Sequence, residues 1–97
     1  MLCAHTVRKL KPGTFGESQE RFTPDGGAPA GWAGFRMLRN LDDPDQVITF
    51  GFFDGSREEL EANQADHGYA ERRQAADELV DAVVGNGLYE IVVKLGD

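Results

Sequence analysis

The stretch GFRMLRNLDDPDQVITFGFFDG, residues 34–55, decides the fold, because it predicts two β-strands joined by a tight turn. The turn is predicted at residues 42–45. Pro44 has a φ near the value that position i+1 of a type I turn requires, and Asp43 can accept a hydrogen bond from the backbone that follows it. We therefore expect an antiparallel hairpin with Pro44 and Asp45 at the centre of its turn.

This turn predicts a register for the two strands, residues 32–41 and 46–53, in which Met37 pairs with Phe50 and Phe35 with Phe52. One face then carries Phe35, Met37, Ile48, Phe50 and Phe52, and the other carries Trp32, Leu38, Val47, Thr49 and Phe53. A sheet with one wet face alternates apolar and polar residues, and neither face does so here. We expect the first face to be core and a second copy of the chain to cover the second face, with Phe53 in the interface. Because both faces are apolar, the sequence leaves open which of them meets the helices.

Length and charge narrow the class of protein. The chain has 97 residues, which suits one domain spanning residues 1–97. Its formal charge of −7 argues against partners that are nucleic acids or anionic membranes. Cys3 is the only cysteine, so no intrachain disulfide can form. With no signal-peptide pattern and no run of 18 apolar residues, we expect a cytoplasmic soluble protein.

The chain before the hairpin predicts one strand and one helix. Residues 1–11 form the strand, with Cys3, His5 and Val7 on one side. Thr14 is predicted to cap a helix through residue 22, with Glu17 as the reciprocal partner of a capping box. Residues 23–31 contain three Gly and two Pro and predict a loop, and whether this loop acts as a lid stays open.

The chain after the hairpin predicts two helices and a last strand. Ser56 and Glu59 fit a capping box for a helix that ends near residue 65. A second helix is predicted over residues 68–84, with a buried stripe that includes Val80 and Val83 and a stop at residues 85–87. Residues 88–95 form the last strand. The order β-α-β-β-α-β predicts an α+β, ferredoxin-like fold with an antiparallel sheet.

The hairpin, the stretch DGSREELEANQADHGYAERR at residues 54–73 and the short last strand together resemble the antibiotic biosynthesis monooxygenase-like family. The shared motifs are a strand that ends in an aromatic residue, a Ser that begins a helix and a small-x-His-aromatic turn near residues 65–69. The resemblance implies a homodimer, a dimeric α/β barrel, with a pocket between sheet and helices in each subunit. Some members oxidise phenolic or anthrone-like aromatics with O2 and without metal or flavin, and others degrade haem.

The resemblance favours oxidation of a small aromatic, quinol-like substrate without any cofactor. The haem-degrading branch needs a Trp and a His where this chain has Asn63 and Arg72–Arg73. The alternative is a non-catalytic dimeric barrel that binds a small hydrophobic ligand. Two His and one Cys, scattered along the chain, do not predict a metal site.

Candidate catalytic residues are His67, His5 and Tyr69. The two histidines are the residues whose ordinary pKa lies near neutrality, and the hydroxyl of a buried Tyr69 should find a hydrogen-bond partner. Candidate ligand-binding residues are Trp32, Phe35, Phe50, Phe52, Asn63 and Arg73. Alternatives for these residues are a core role for the aromatic side chains and, for Arg73, an i,i+4 ion pair with Asp77.

Overall fold

The computed structural model describes residues 1–22, 31–66 and 69–96, with side chains throughout except at positions 66, 69, 70 and 72. Its elements are β1 (Leu2–Leu10), α1 (Phe15–Phe22), β2 (Trp32–Arg39), β3 (Gln46–Phe53), α2 (Arg57–Asp66), α3 (Tyr69–Asp77) and β4 (Val80–Glu90). The predicted loop at residues 23–31 lies, apart from Gly31, outside the described residues. None of the described helices is both long and apolar enough to cross a membrane.

The four strands form one sheet in the order β2-β3-β1-β4, and every neighbouring pair is antiparallel. The helices α2 and α3 follow one another and together take the place of the second helix in the predicted order. This arrangement confirms the ferredoxin-like α+β fold. The order also leaves β2 and β4 as the two edges of the sheet.

The predicted turn is confirmed, but the predicted hairpin register is wrong by one residue. Gln46 N donates to Asp43 O at 3.0 Å, and Asp45 N donates to the Asp43 carboxylate at 3.1 Å, as expected for this turn. Asn40 Oδ1, however, accepts hydrogen bonds from two backbone N–H groups of the loop, at 2.7 and 3.1 Å. This cap widens the connection, so that Met37 pairs with Thr49 and not with Phe50.

The corrected register moves residues 34–39 of β2 to the faces opposite the predicted ones, whereas an irregularity between Trp32 and Gly34 keeps Trp32 on the same face as Phe53, with which it pairs. Phe35 and Met37 lie on the same face as Val47 and Phe53, and this face is buried beneath the helices. We call it the helix side of the sheet. Phe53 is only 3% exposed there, so its predicted place in an interface between copies is wrong.

The second face, the open face, carries half-buried and exposed side chains, most of them apolar, that no helix in the described part of the chain covers. Its members are Cys3, His5, Val7, Leu38, Ile48, Phe50, Phe52 and Tyr89. Because directly opposed residues of antiparallel strands point to the same side, the pairing of β1 with β3 and β4 and that of β2 with β3 assign them to one face. Phe50 and Phe52 are therefore not in the core of the chain, contrary to the prediction from the first register.

Both predicted helix starts are found, with different caps. Ser56 Oγ accepts a hydrogen bond from Glu59 N at 3.1 Å, and Ser56 N donates to the Glu59 carboxylate at 3.2 Å, which confirms this capping box. At α1, the Thr14 hydroxyl instead donates to Lys11 O at 2.7 Å. Glu17 pairs with Arg21 at 2.6 Å, so the reciprocal box predicted for Thr14 is not formed.

The last third of the chain differs most from the prediction. The helix predicted over residues 68–84 ends at Asp77, and the strand predicted over residues 88–95 instead spans Val80–Glu90. The predicted stop at residues 85–87 lies within β4, where Gly85 and Gly87 pair with β1. These residues form a strand because β-branched residues favour strands and because β1 is long enough to pair with them. A contact distant in sequence therefore determines their structure.

Candidate functional site

An aromatic cluster lies on the helix side at the β2 edge of the sheet. It consists of Phe22, Trp32, Phe35 and Phe53. The Trp32 ring stacks on Phe35 with centroids 4.8 Å apart and meets Phe53 edge-on at 5.2 Å. Phe22 of α1 contacts Phe35 edge-on at 6.2 Å. The cluster therefore joins the sheet to the first helix and forms an apolar surface suited to stacking on a flat ligand.

Helix α2 brings a polar group to this cluster. Trp32 Nε1 donates a hydrogen bond to Asn63 Oδ1 at 2.9 Å. Because the capping box at Ser56 and Glu59 fixes where α2 begins, it also fixes which residue stands over the indole two turns later. Of the six predicted ligand-binding residues, the structure thus brings together Trp32, Phe35 and Asn63.

Gly51 gives the aromatic rings room on the sheet. It is buried in β3, opposite Phe35 on β2 and Ala4 on β1. A Cβ at this position would come within 2.7 Å of ring atoms of both Trp32 and Phe35. The rings therefore lie directly against the backbone of β3, and small residues occupy the middle of the helix side.

A polar patch adjoins these small residues toward the other end of the strands. It consists of Thr6, Arg8, Thr49 and Asn86. Arg8 Nη1 donates to Thr49 Oγ1 at 2.7 Å, and Thr6 Oγ1 donates to Asn86 Oδ1 at 3.2 Å. Thr6 and Thr49 are both 7% exposed and oppose one another in the sheet. The helix side thus changes from aromatic to polar along the strands.

Arg8 also connects the sheet to α3. Its Nε lies 3.9 Å from one carboxylate oxygen of Asp77, and Nε of Arg73 lies 3.7 Å from the other. The Arg8 side chain is only 12% exposed, so water screens its charge weakly. Arg73 therefore forms the i,i+4 ion pair that its spacing predicted as the alternative to a ligand role.

The other predicted site residues lie elsewhere. His5 is on the open face, where its ring lies 6.3 Å from Phe50 and 5.9 Å from Tyr89, and Phe50 contacts Phe52 at 5.4 Å. The structure therefore does not bring these side chains to Trp32. The predicted role of His67 falls outside the described residues, and Tyr69 begins α3 with its side chain outside them.

The sequence contained a signal for the polar patch that our prediction did not use. Leu2, Ala4, Thr6 and Leu10 alternate along β1 as predicted, and Arg8 occupies the one charged position on that face. A charged side chain on a core face needs a hydrogen-bond or ion-pair partner, so the position of Arg8 indicates a cluster of polar residues around it.

The described residues bear on two further kinds of chemistry, a reactive thiol at Cys3 and a bound metal ion. Burial raises the pKa of the Cys3 thiol, which favours the unreactive protonated form over the thiolate. Among residues 1–22, 31–66 and 69–96, no three His, Cys, Asp or Glu side chains converge as they would around a metal ion.

Comparison with known proteins places the fold. No protein-family model and no curated protein matches the sequence. Solved structures match over nearly the whole chain. A protein of Chloroflexus aurantiacus, provisionally named an antibiotic biosynthesis monooxygenase, superposes with a TM-score of 0.81 at 15% identity, covering 98% of this chain and 96% of that one.

Two further structures agree. A point mutant of SnoaB, a cofactor-independent oxygenase from Streptomyces nogalater, matches with a TM-score of 0.78 at 14% identity, covering 99% of this chain and 97% of that one. Rv0793 from Mycobacterium tuberculosis matches with a TM-score of 0.75 at 14% identity, covering 98% of each chain. The chain therefore has the fold of the structures named antibiotic biosynthesis monooxygenases, which confirms at the level of the fold the resemblance predicted from its sequence.

Proposed function

We propose that this protein is a cofactor-independent monooxygenase that binds a small aromatic, quinol-like substrate between the helix side of its sheet and the helices. The observation that carries the proposal is the aromatic cluster, whose Trp32 is held by Asn63 and whose rings lie beside the small residue Gly51. The fold shared with a cofactor-independent oxygenase supports the same reaction class.

The two ends of the site suit the two parts of such a substrate. An aromatic ring can stack beside Trp32 and Phe35, while its oxygen points toward hydrogen-bond donors. Oxidation by O2 without a cofactor begins when the phenol or activated CH group loses a proton, because the anion then passes an electron to O2. The guanidinium of Arg8 and the amide of Asn63 are groups that stabilise such an anion in weakly screened surroundings.

We assign the proton-accepting step to residues near the start of α3 in the sequence. His67 is the candidate base from the sequence, since an imidazole can accept a proton near neutrality, and the Tyr69 hydroxyl is the candidate hydrogen-bond donor beside it in the sequence. His5 is the weaker candidate, because its strand position places it on the open face.

The first test is O2 consumption by the metal-stripped protein with a panel of anthrones and hydroquinones. For an anthrone, one O2 is consumed and the products are the anthraquinone and one water. We expect uptake above the rate without protein. Asn63→Leu should lower the rate about tenfold or more, since it removes a polar partner but keeps a similar volume.

The matched control is Gln74→Leu, an amide-to-leucine change at an exposed position of α3. It should leave the rate unchanged. If no compound of the panel caused O2 uptake, the proposed reaction would be refuted. Equal rates for the Asn63 and Gln74 variants would refute the proposed site.

One observation favours a second function, that of a barrel that binds a hydrophobic ligand without reacting with it. Among the side chains that the structure describes at the site, Asn63, Thr6 and Thr49 do not titrate near neutrality. Tight binding of an anthraquinone, seen as quenching of the Trp32 fluorescence, together with no O2 uptake would support this function over the oxygenase.

We also propose that the protein acts as a cytoplasmic homodimer, in which the open faces of two sheets pack together. The open face carries Ile48, Phe50 and Phe52 on one strand, and none of the helices that the structure describes covers them. An apolar surface of this kind is typical of an interaction site, and one face that meets its own copy gives a closed two-fold assembly.

The dimer is tested by light scattering at micromolar concentration. Phe50→Asp places a charge on the open face and should give a monomer. The symmetric interface would bury this carboxylate and bring it toward the like charge of the second copy. Leu41→Asp is the matched control, since Leu41 is 95% exposed in the hairpin connection and lies outside the face. A wild-type monomer would refute the proposed dimer.

A further inference from the structure

The open face has an ionisable side chain at its centre. The strands β3 and β1 are the two inner strands of the sheet, and residues 2–9 of β1 pair with residues 46–53 of β3. His5 and Phe50 oppose one another in the middle of this ladder, and both lie on the open face. The proposed dimer would therefore have an imidazole at the position that it buries most completely.

Aromatic rings lie against this imidazole on two sides. The Phe50 ring is nearly parallel to it, with the centroids 6.3 Å apart and an angle of 18° between the planes. The Tyr89 ring meets it edge-on at 5.9 Å, on the side of β4. His5 is already half-buried in a single chain. A second copy packed on the open face removes water that would solvate a charge on this ring, so burial in the dimer favours the neutral imidazole.

The immediate neighbours of His5 on the open face include no acidic side chain. These neighbours lie two positions away on β1, or directly opposite or diagonal to His5 on β3 and β4. They are Cys3, Val7, Ile48, Phe50, Phe52, Gly85, Gly87 and Tyr89. Of these, Cys3 and Tyr89 are ionisable, and thiol and phenol groups are uncharged below about pH 7.5. The surroundings of His5 therefore offer no negative charge to stabilise an imidazolium.

The charged groups farther from His5 do not supply one either. On the open face Arg36 lies on β2, Lys9 of β1 is paired with Asp43 of the hairpin turn, and the amino terminus lies one residue before β1. The acids of β4 lie away from His5, since Glu90 points to the helix side and Asp81 lies at the irregularity opposite the carboxyl end of β1. A proton on His5 would thus add a positive charge to a face whose nearest unpaired charges are cations.

Two-fold symmetry brings the two imidazoles of a dimer together. Two sheets that pack the same face against each other are related by a two-fold axis in the plane between them. When this axis passes over the middle of the face, the central residues of one copy meet those of the other, whichever direction the axis takes in that plane. His5 then lies close to His5 and Phe50 of the second copy. Protonation of both copies is therefore opposed by the loss of water and by repulsion between like charges.

We propose that His5 is a pH switch for assembly, so that protonation of this residue in both copies dissociates the dimer and the neutral form allows it. This inference rests on the proposed dimer and deepens it, since it names the condition that controls association. An imidazole suits this role, because its ordinary pKa of about 6.5 lets modest acidification change its charge. Protonation of histidines changes interfaces in this way in other pH sensors.

Linkage between protonation and association gives the size of the effect. The protonated form is disfavoured in the dimer, so the dimer is present at higher pH and is lost as pH falls. For two imidazoles of ordinary pKa that bind protons only in the free chains, the dissociation constant rises about 100-fold between pH 7.5 and pH 5.5. Cation–π attraction to the Phe50 ring opposes this rise, because it stabilises the protonated form. We therefore expect an increase of about tenfold to 100-fold.

Analytical ultracentrifugation of the full chain at pH 7.5 and pH 5.5 measures this dissociation constant. His5→Gln replaces the imidazole with a polar group that does not titrate, and its dissociation constant should change less than about threefold between the two pH values. His5→Phe should likewise remove the pH dependence. His67→Gln is the matched control, since it makes the same change at the second of the two histidines, and it should retain the wild-type rise.

The outcomes separate this inference from the dimer itself. A wild-type dimer with the same dissociation constant at both pH values would overturn the switch and leave the sheet-to-sheet dimer intact. A wild-type rise that persists in both His5 variants would overturn the switch as well, because another group would then be responsible. A wild-type monomer at pH 7.5 and micromolar concentration would overturn both the dimer and the switch.

Discussion

Replacement of Gly51 by alanine should destabilise the fold by forcing the aromatic cluster apart. A Cβ at Gly51 would lie 2.7 Å from Cζ3 of Trp32, and 2.7 and 2.8 Å from Cε1 and Cδ1 of Phe35. Carbon atoms in proteins approach to about 3.5–4.0 Å. Neither ring can simply rotate away, because the two stack on each other at 4.8 Å and Trp32 is also held by Asn63 at 2.9 Å.

The magnitude follows from two opposing effects. Adding a methyl group to a packed core costs about 1–3 kcal/mol. The loss of backbone freedom in the unfolded chain returns about 0.5–1 kcal/mol when alanine replaces glycine. With three ring atoms in close approach, we expect a net loss of about 1–2 kcal/mol. For a domain of this size, that lowers Tm by about 5–15 °C.

Thermal unfolding followed by circular dichroism measures the effect, and fluorescence reports on the cluster because Trp32 is the only tryptophan. The control is Gly16→Ala, at an exposed position of α1 where an added Cβ has no neighbour within 4 Å. It should leave stability unchanged or raise it slightly. Phe35→Leu in the Gly51→Ala background should recover part of the loss, since leucine lacks the crowded Cε1 atom. Equal stability of the Gly51 and Gly16 variants would refute the argument.

Two further predictions concern local contacts. Ser56→Ala removes the cap of α2 and should cost about 1 kcal/mol in urea unfolding, whereas Glu59→Gln keeps a reciprocal partner and should cost less. Hydrogen bonds from the Lys9 ammonium and from Asp45 N lower the pKa of Asp43, so the folded state releases this proton more readily than the unfolded state. The resulting stability is present above the ordinary pKa of an aspartate, about 3.9, and is lost as pH falls through the lowered pKa. Asp43→Asn should therefore lower stability at pH 7 and reduce its dependence on pH in the acid range. A variant with the wild-type acid dependence would contradict this assignment.

Features that depend on a few neighbouring residues were predictable from the sequence. The capping box at Ser56 and Glu59 and the turn at Asp43 and Pro44 are confirmed because each is made by side chains that bond to backbone groups close by. The same holds for the α+β order, which follows from where the local signals begin and end.

Register and pairing were less predictable, because they depend on contacts distant in sequence or on one extra cap. The Asn40 side chain bonds to two backbone groups of the connection and shifts the register by one residue. Residues 80–84 have an apolar spacing that suits a helix, yet they pair with β1. The sequence of these residues is compatible with either a helix or a strand, and pairing with β1 makes them a strand.

The candidate site also combines features that residue type predicts with features that only strand pairing decides. The sequence indicated Trp32, Phe35, Phe50 and Phe52 as one set of aromatic ligand-binding residues. The shift of one residue moves Phe35 to the helix side, and the register irregularity between Trp32 and Gly34 keeps Trp32 on that side, so both are separated from Phe50 and Phe52. Residue type therefore identified the aromatic groups, while only the pairing could assign them to a face.

Side chains alternate between the two faces of the sheet along the central strand β3, so the proposed reaction and the proposed dimer can be tested separately. Thr49 lies on the helix side, where it accepts a hydrogen bond from Arg8, and Phe50 lies on the open face beside His5. These neighbours in sequence face opposite layers of the molecule. A polar residue at Phe50 should therefore act on assembly, and an apolar residue at Thr49 should act on the site. The cofactor-free reaction and the dimer can thus be tested one residue apart on a single strand, because a sheet separates its two faces at every step of the chain.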